Sequence, residues 1–388
     1  MTKSLSILGS TGSIGRNALR VVENLGEQFE VTYLTAARDS KRMMEQIRRF
    51  RPRGVALLDD KAAREVRDSI SGEKLEILSG REGILEIAGR DDVDIMLNAL
   101  VGGAGMEPTI SAIMAGVNVA LSNKESLVMA GHLINQIKNE TGVEIFPVDS
   151  EHSAIWQCLA GEDLKSVKRL ILTGSGGPFR TRSRETFSEI TVEEALKHPN
   201  WKMGSKITVD SASMMNKGLE VIEAHWLFGF EQEMIQIVVH PQSVIHSMVE
   251  FTDGSIKAQM GLPDMKIPIQ YALTYPDRYR SAWEDIDFSA ISPLTFEEPD
   301  LDRFPCIHFA YEALTKGGSA PAALNVANDN TVRCFLNRQI SFSQISEING
   351  MALREHDWVE NPDLNDLKEL EEWGADFVKT HIAERILL

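Results

Sequence analysis

Apolar runs and apolar stripes alternate along residues 1–150 at the spacing of βαβ units. Residues 5–8 read as a buried strand, and after a glycine turn Ile14, Ala18, Val21, Val22 and Leu25 recur at helical spacing. Apolar runs at 31–35, 55–58, 94–98, 117–121 and 144–148 continue the series. Six strands separated by helix-length segments predict a parallel, doubly wound α/β sheet of Rossmann type. From 150 to 275 the pattern becomes α+β, with strands expected at 168–173, 235–240, 243–250 and 255–260. The last three are expected to be neighbours in a mostly antiparallel sheet, with a turn at Asp253-Gly254. Residues 276–300 carry Pro276, Pro293 and Pro299 with little periodicity, as a connecting arm would. Beyond them, helices are expected at 306–314, 320–337, 341–356 and from 363 onward. The expected domains are therefore 1–149, an α+β segment at 150–275, the arm at 276–300 and a helical domain at 301–388.

One helix carries more than a core face. Met215, Leu219, Ile222 and Trp226 form an apolar stripe, while Asn216, Glu220 and Glu223 share another face at i, i+4, i+7. Ser211, Asn216 and Lys217 can hold an anion where this helix begins, and Glu220 can reach a cation. By itself the pattern also suits an amphipathic helix with a solvated acidic face.

Other segments carry chemistry of the same kind. Gly9, Ser10, Thr11, Gly12, Ser13, Ile14 and Gly15 follow a strand and open a helix, the setting in which a glycine loop approaches a pyrophosphate. At the end of the second strand, Ala37, Arg38 and Asp39 leave the cofactor open: an acid suits the ribose hydroxyl of NAD, an Arg the 2′-phosphate of NADP. Asp149 and Glu151 lie two apart at the end of the last parallel strand, and in extended chain would point the same way. With Glu220 they make a three-carboxylate oxygen site suited to Mg²⁺ or Mn²⁺; a capping Asp followed by a surface Glu would look the same. Ser175 lies in the glycine-rich loop Thr173-Gly-Ser-Gly-Gly-Pro-Phe179, which serves equally as phosphate cradle or plain turn. Trp201, in His198-Pro-Asn-Trp201, has no obvious core to fill, and a lid that excludes water would explain it. Lys124 and Glu125 follow a parallel strand, where ligands of open sheets bind. His240 and His246 read as sheet-face or core histidines.

Composition narrows the partners. The 388 residues call for two or three domains, and 43% hydrophobic with 25% charged content is that of a soluble globular chain. A formal net charge of -17 argues against nucleic acid or an anionic membrane as partner, so any phosphorylated ligand needs a local cation. Cys158, Cys306 and Cys334, odd in number and widely spaced, form no Cys-x-x-Cys pair and support neither a disulfide framework nor a zinc knuckle, so reduced thiols are expected. With neither a secretory leader nor a membrane-length apolar run, a cytoplasmic location is expected.

Taken in order, Gly9-Ser-Thr-Gly-Ser-Ile-Gly15, Asn123-Lys-Glu-Ser-Leu-Val128, Asp149-Ser-Glu-His152, Ser175-Gly-Gly-Pro-Phe179, His198-Pro-Asn-Trp201, Met214-Met-Asn-Lys-Gly-Leu-Glu220 and His240-Pro-Gln-Ser-Val-Ile-His246 resemble the 1-deoxy-D-xylulose 5-phosphate reductoisomerases from end to end. The resemblance implies an N-terminal NADPH domain, a central catalytic and dimerisation domain, an arm, a C-terminal helical domain, and a homodimer. It implies Asp149, Glu151 and Glu220 as ligands of Mg²⁺ or Mn²⁺, with Co²⁺ an alternative. Ser175, His198, Ser211, Asn216 and Lys217 would hold the substrate's phosphate end or backbone. Ser150 and Lys124 would meet its hydroxyls, and Trp201 and Met203 would close over it. Gly9 to Gly15, Ala37, Arg38, Asp39, Asn123, Glu125 and Gly204 would contact NADPH. Lys124, Asp149, Glu151, His198 and Glu220 are the expected catalytic set, with Glu223 and His246 as supports. The implied reaction is a retroaldol and aldol isomerisation followed by hydride reduction to 2-C-methyl-D-erythritol 4-phosphate.

Asp39 departs from this pattern, standing where an uncharged polar residue is expected beside the 2′-phosphate. Ser122 replaces a more usual Ala, a change read as neutral. Two rivals remain. A dehydrogenase of another phosphorylated or hydroxy-acid substrate would not need the three carboxylates, and a nucleotide sensor would need neither metal nor lid.

Overall fold

The computed structural model describes residues 2–70, 74–201, 203–291 and 293–386. Seven strands form the first sheet: β1 (Lys3–Leu8), β2 (Phe29–Ala36), β3 (Gly54–Leu57), β4 (Glu76–Ser79), β5 (Ile95–Asn98), β6 (Asn118–Leu121) and β7 (Ile145–Pro147). Their order is β4-β3-β2-β1-β5-β6-β7, and every neighbouring pair is parallel. The helices between them are α1 (Ser13–Leu25), α2 (Ser40–Phe50), α3 (Asp60–Ser69), α4 (Gly80–Ala88), α5 (Met106–Met114) and α6 (Lys124–Thr141). Strand order reverses between β1 and β5, so the loops after these two strands flank the crevice in which doubly wound sheets bind ligands.

β4 is a correction to the six strands expected. It is four residues long, lies at the sheet edge, and buries none of them fully. A half-exposed edge strand has no continuous apolar run to reveal it.

After α7 (Ser150–Leu159), a second sheet contains β8 (Val167–Gly174), β9 (Ile235–Val239), β10 (Ile245–Phe251) and β11 (Ile256–Met260), in the order β11-β10-β8-β9. β10 pairs antiparallel with β11 and β8, but β9 pairs parallel with β8. The expected adjacency of β9 and β10 is therefore wrong. The long segment between β8 and β9 holds α8 (Val192–Ala195), α9 (Ser205–Ala212) and α10 (Met215–Phe228), enough chain for a parallel crossover. α11 (Lys266–Thr274) follows, and then α12 (Cys306–Lys316), α13 (Ala320–Leu336), α14 (Phe342–Glu355) and α15 (Leu364–Ile386).

By its contacts the chain divides into two compact units, one of residues 1–126, 132–153 and 264–284, the other of 127–131, 154–263 and 285–388. These do not coincide with the expected boundaries. α11 belongs with the first unit, lying against α1 and β7, and the α+β and helical segments share the second. The second unit's main core mixes both: Leu170, Leu172, Val209, Val221 and Val249 cluster with Ile307, Phe335, Phe342 and Ile345. Buried Cys158 and Cys306 have thiols pushed up by burial to about 11 and about 12, and all three cysteines are free. Among the described residues no helix is long and apolar enough to cross a membrane.

Candidate active site

In the first unit the glycine loop is set by close backbone packing. Gly9 has φ +79°, and a Cβ there would stand 2.7 Å from the Ala99 carbonyl oxygen after β5, so only glycine fits. Gly12 precedes α1 without a side-chain cap, and no acid lies in the first turn. Such a helix start is one that suits an anion. Thr11, Gly12 and Ser13 are at least partly exposed. Ser10 corrects its expected role: its hydroxyl is fully buried and bonds Gln46 Oε1 at 2.7 Å and the Thr35 carbonyl at 3.1 Å. Its backbone is engaged as well: the N–H donates to the Thr35 carbonyl at 2.8 Å, and the Ser10 carbonyl accepts from Gln46 Nε2 at 2.9 Å.

Ala37 and Arg38 are exposed after β2. Asp39 is the N-cap of α2: one carboxylate oxygen accepts the Arg42 N–H at 3.0 Å, and the other pairs with Arg42 Nη1 at 3.1 Å. The same Nη1 donates to the Thr11 carbonyl at 3.2 Å. The departure from family pattern is therefore partly offset by a cation that the sequence reading passed over. Its signal was available, an Arg three residues after a capping Asp.

Asn123 caps α6, accepting the Ser126 N–H at 2.9 Å, and its Nδ2 donates to the carbonyls of Leu100 and Gly102. It ties the β6 end to the loop after β5. Glu125 Oε2 lies 3.2 Å from the same Nδ2.

Asp149 and Glu151 do not sit in extended chain. Glu151 is in the first turn of α7, and Asp149 accepts its N–H at 3.1 Å, as a capping Asp does. Lys124 Nζ, itself buried, lies 2.9 Å from Asp149 Oδ2, and His152 Nδ1 lies 3.3 Å from Oδ1. Burial alone would raise the Asp149 pKa, but Lys124 and His152 outweigh it and hold the carboxyl well below its usual range. Ser150 Oγ donates to Glu151 Oε2 at 2.6 Å.

In the second unit the substrate candidates gather around α9 and α10. The expected apolar stripe is found: Met215, Leu219 and Ile222 are buried together, with Trp226 against them. On the other face Glu220, 1% exposed, accepts Asn216 Nδ2 at 2.5 Å on one oxygen and Lys217 Nζ on the other. Ser211 lies in the last turn of α9, and a Cβ on Gly177 would stand 2.6 Å from its carbonyl oxygen, so the Ser175 loop runs directly against α9.

His198 links that loop to Trp201. Its Nδ1 accepts the N–H groups of Asn200 at 3.1 Å and Trp201 at 2.9 Å, while Nε2 lies 3.2 Å from Ser175 Oγ. Two N–H donors on Nδ1 require the Nε2–H tautomer, which donates to Ser175. Burial, aided by the charge of Lys217, lowers the pKa to about 4, so the ring is neutral near pH 7. Trp201 is half-buried with its ring centroid 6.0 Å from that of His246, and Asn200 Nδ2 donates to the Pro241 carbonyl and to Ser243 Oγ. Met203 is half-buried, Gly204 is exposed, and Lys202 between them and Trp201 lies outside the described residues.

His240 is structural: its Nε2 accepts the Val244 N–H at 3.2 Å, and Nδ1 donates to the Thr295 carbonyl at 2.9 Å. His246, buried in β10, has its pKa lowered to about 4, chiefly by burial.

Comparison with known proteins shows the family. Family models described as 1-deoxy-D-xylulose 5-phosphate reductoisomerase and its C-terminal domains match residues 5–131, 145–228 and 260–377. The enzyme of that name from Chloroherpeton thalassium is 53% identical over 369 residues, covering 95% of each chain. The one from Caldanaerobacter subterraneus is 50% identical, covering 94% of this chain and 95% of its own. The Zymomonas mobilis structure in complex with NADPH superposes with a TM-score of 0.93 at 39% identity, covering 98% of this chain and 99% of that one. A second such structure, in complex with NADPH, fosmidomycin and magnesium, has a TM-score of 0.93 at 38% identity and covers 98% of both. Relatedness at this level along the whole length leaves one assignment: the chain belongs to the 1-deoxy-D-xylulose 5-phosphate reductoisomerase family.

Proposed function

We propose that Asp149, Glu151 and Glu220 hold the divalent cation of this enzyme, that Ser211, Asn216 and Lys217 with Ser175 and His198 hold the substrate phosphate and backbone, and that the Gly9–Gly15 loop with Arg38 and Asn123 holds the cofactor. The reaction is that of the family: conversion of 1-deoxy-D-xylulose 5-phosphate to 2-C-methyl-D-erythritol 4-phosphate in isoprenoid precursor synthesis, dependent on NADPH and a divalent metal. The observation that carries the residue assignment is the buried Lys217–Glu220 pair on the first turns of α10, joined by half-buried Asn216, with a cation and an anion both withdrawn from water.

The donors fit the groups. Carboxylate oxygens without thiolate or imidazole suit a hard cation, and an uncapped helix start behind Gly9 suits a pyrophosphate. When bound, the ion supplies Lewis acidity to the breaking and re-forming of a C–C bond, and NADPH supplies the hydride. The protein does the rest. Lys124 keeps Asp149 ionised. Lys217 supplies the positive charge that a phosphate needs on a chain of net charge -17. Neutral His198 orients the Ser175 hydroxyl and pins the Trp201 backbone, while Trp201 and Met203 shield the substrate from water. Ser150 and Lys124 meet the substrate hydroxyls. Ala37, Asp39, Glu125 and Gly204 complete the cofactor contacts. A homodimer belongs to the same reading; β11 is an edge strand exposed at residues 256–258, and light scattering tests the assembly.

The test is oxidation of NADPH with 1-deoxy-D-xylulose 5-phosphate after EDTA treatment, with and without added Mg²⁺. Metal-dependent oxidation is expected. Metal-independent oxidation would remove the carboxylate site from the mechanism.

A further inference from the structure

Behind the substrate helices lies a buried chain of polar side chains that the reaction does not explain. Asp210, one residue before Ser211, is 1% exposed; Asn328, Thr331 and Asn349 are fully buried. Asn328 Nδ2 donates to Asp210 Oδ1 at 2.7 Å. Asn349 Nδ2 donates to Asn328 Oδ1 at 3.0 Å, and Thr331 Oγ1 donates to Asn349 Oδ1 at 3.0 Å. The order is directional. With its oxygen taken by Asn349, Asn328 can present only its N–H groups to Asp210, as a carboxylate requires. The other Asp210 oxygen pairs with Lys206 Nζ at 2.9 Å, and Lys206 also meets Asp329 at 2.8 Å. Apart from the Lys206–Asp210 pair, which lies within α9, each bond joins α9 to α13 or α13 to α14.

The turn that follows starts from the Asp210 backbone. Its carbonyl accepts Ser213 Oγ at 3.2 Å, and Met214 then takes φ +61°, a left-handed conformation that reverses the chain between Ser211 on α9 and Asn216 on α10. α10 is fixed from the same side. A Cβ on Gly218 would stand 2.8 Å from Ala310 Cβ of α12, so the two helices cross at closest approach directly beside Lys217.

We infer that Asn328 is a positioning residue for the phosphate end of the substrate site: through Asp210 it sets the α9–α10 turn that presents Ser211, Asn216 and Lys217 together. This gives the C-terminal helices, which carry no catalytic signal in sequence, a part in the reaction. It rests on the proposed phosphate role of those three residues. Two hydrogen bonds to a carboxylate hold a turn that a left-handed Met would otherwise let relax, and such bonds are costly to leave unmade in a dry interior.

The experiment compares wild type with Asn328→Asp, which keeps the volume and removes the donor, and with Asn349→Ala, one link further from the turn. Four quantities are read: KM for 1-deoxy-D-xylulose 5-phosphate, affinity for inorganic phosphate, affinity for NADPH, and the melting temperature. For Asn328→Asp, KM and the phosphate Kd are expected to rise together by about tenfold or more, with NADPH affinity unchanged. Asn349→Ala is expected to move both in the same direction by less. Folded variants with unchanged KM and phosphate affinity, whatever their melting temperature, overturn the inference. If Asn328→Asp does not fold, Asn349→Ala is judged by the same criterion. Phosphate binding reads the turn without the reaction, so a wild type inactive on the substrate would discredit the functional reading separately.

Discussion

Replacing Glu220 by Gln separates what this residue does for the fold from what it does for the reaction. Both Glu220 and Lys217 are at most 4% exposed, so their charges compensate one another out of water. Removing one partner of such a pair costs about 3–5 kcal/mol when nothing replaces it. Gln retains a carbonyl oxygen that can accept from Lys217, and Asn216 can turn its own oxygen toward the new amide. The expected stability loss is therefore smaller, about 1–3 kcal/mol, the cost of a charged hydrogen bond made neutral. Turnover should suffer far more. Loss of a ligand charge from a Lewis-acid site withdraws several kcal/mol of transition-state stabilisation, or about a thousandfold in kcat. NADPH binding, built on the Gly9–Gly15 loop, should be within about twofold of wild type, an error margin of ~0.4 kcal/mol. Nicotinamide absorbance, NADPH fluorescence titration and a thermal melt on the same preparations give all three quantities. Full activity with a lowered melting temperature would show Glu220 to be only the counter-ion of Lys217, and the proposed metal set would lose a member.

Three further outcomes are expected. Asp39→Asn keeps the α2 cap, since Asn caps as well as Asp, and should tighten NADPH relative to NADH by a few-fold; an unmoved ratio of the two Kd values would mean Arg42 already neutralises the acid. Trp201→Ala should raise KM and lower kcat together, and unchanged steady-state kinetics would rule out a shielding role. His246 is neutral in the fold with its pKa lowered to about 4, against 6.5 when free, so it takes up protons on unfolding between these values. Its contribution to stability is fully present above pH 6.5 and lost as pH falls toward 4, at about 1.4 kcal/mol per pH step. Urea unfolding of His246→Asn across that window should show a flatter pH dependence than wild type; parallel curves would assign the slope to other groups.

Much of this protein was legible in the chain because its signals are local. The β1 run, the Gly9–Gly15 turn and the α10 stripe each depend on neighbours within a few positions, where period 2 or 3.6 decides which face is buried. The family blocks are local too, and they supply the carboxylates and the phosphate-binding residues proposed for the site. β4 escaped because an exposed edge strand needs no apolar run, and Asp149 with Glu151 clustered through a helix start where the spacing had suggested a strand.

What the sequence by itself determined is the alternation of elements, the family and the chemistry of the donor set, because these follow from residue type and spacing. Only the tertiary structure decided that β9 lies beside β8, that Ser10 turns inward, and that His198 is held as one neutral tautomer. It alone brought Asp210 to Asn328 across more than a hundred residues. The physical reason is common to all of these. Each rests on a partner far along the chain, or on a degree of burial set by the whole core, and neither quantity exists until the chain has packed.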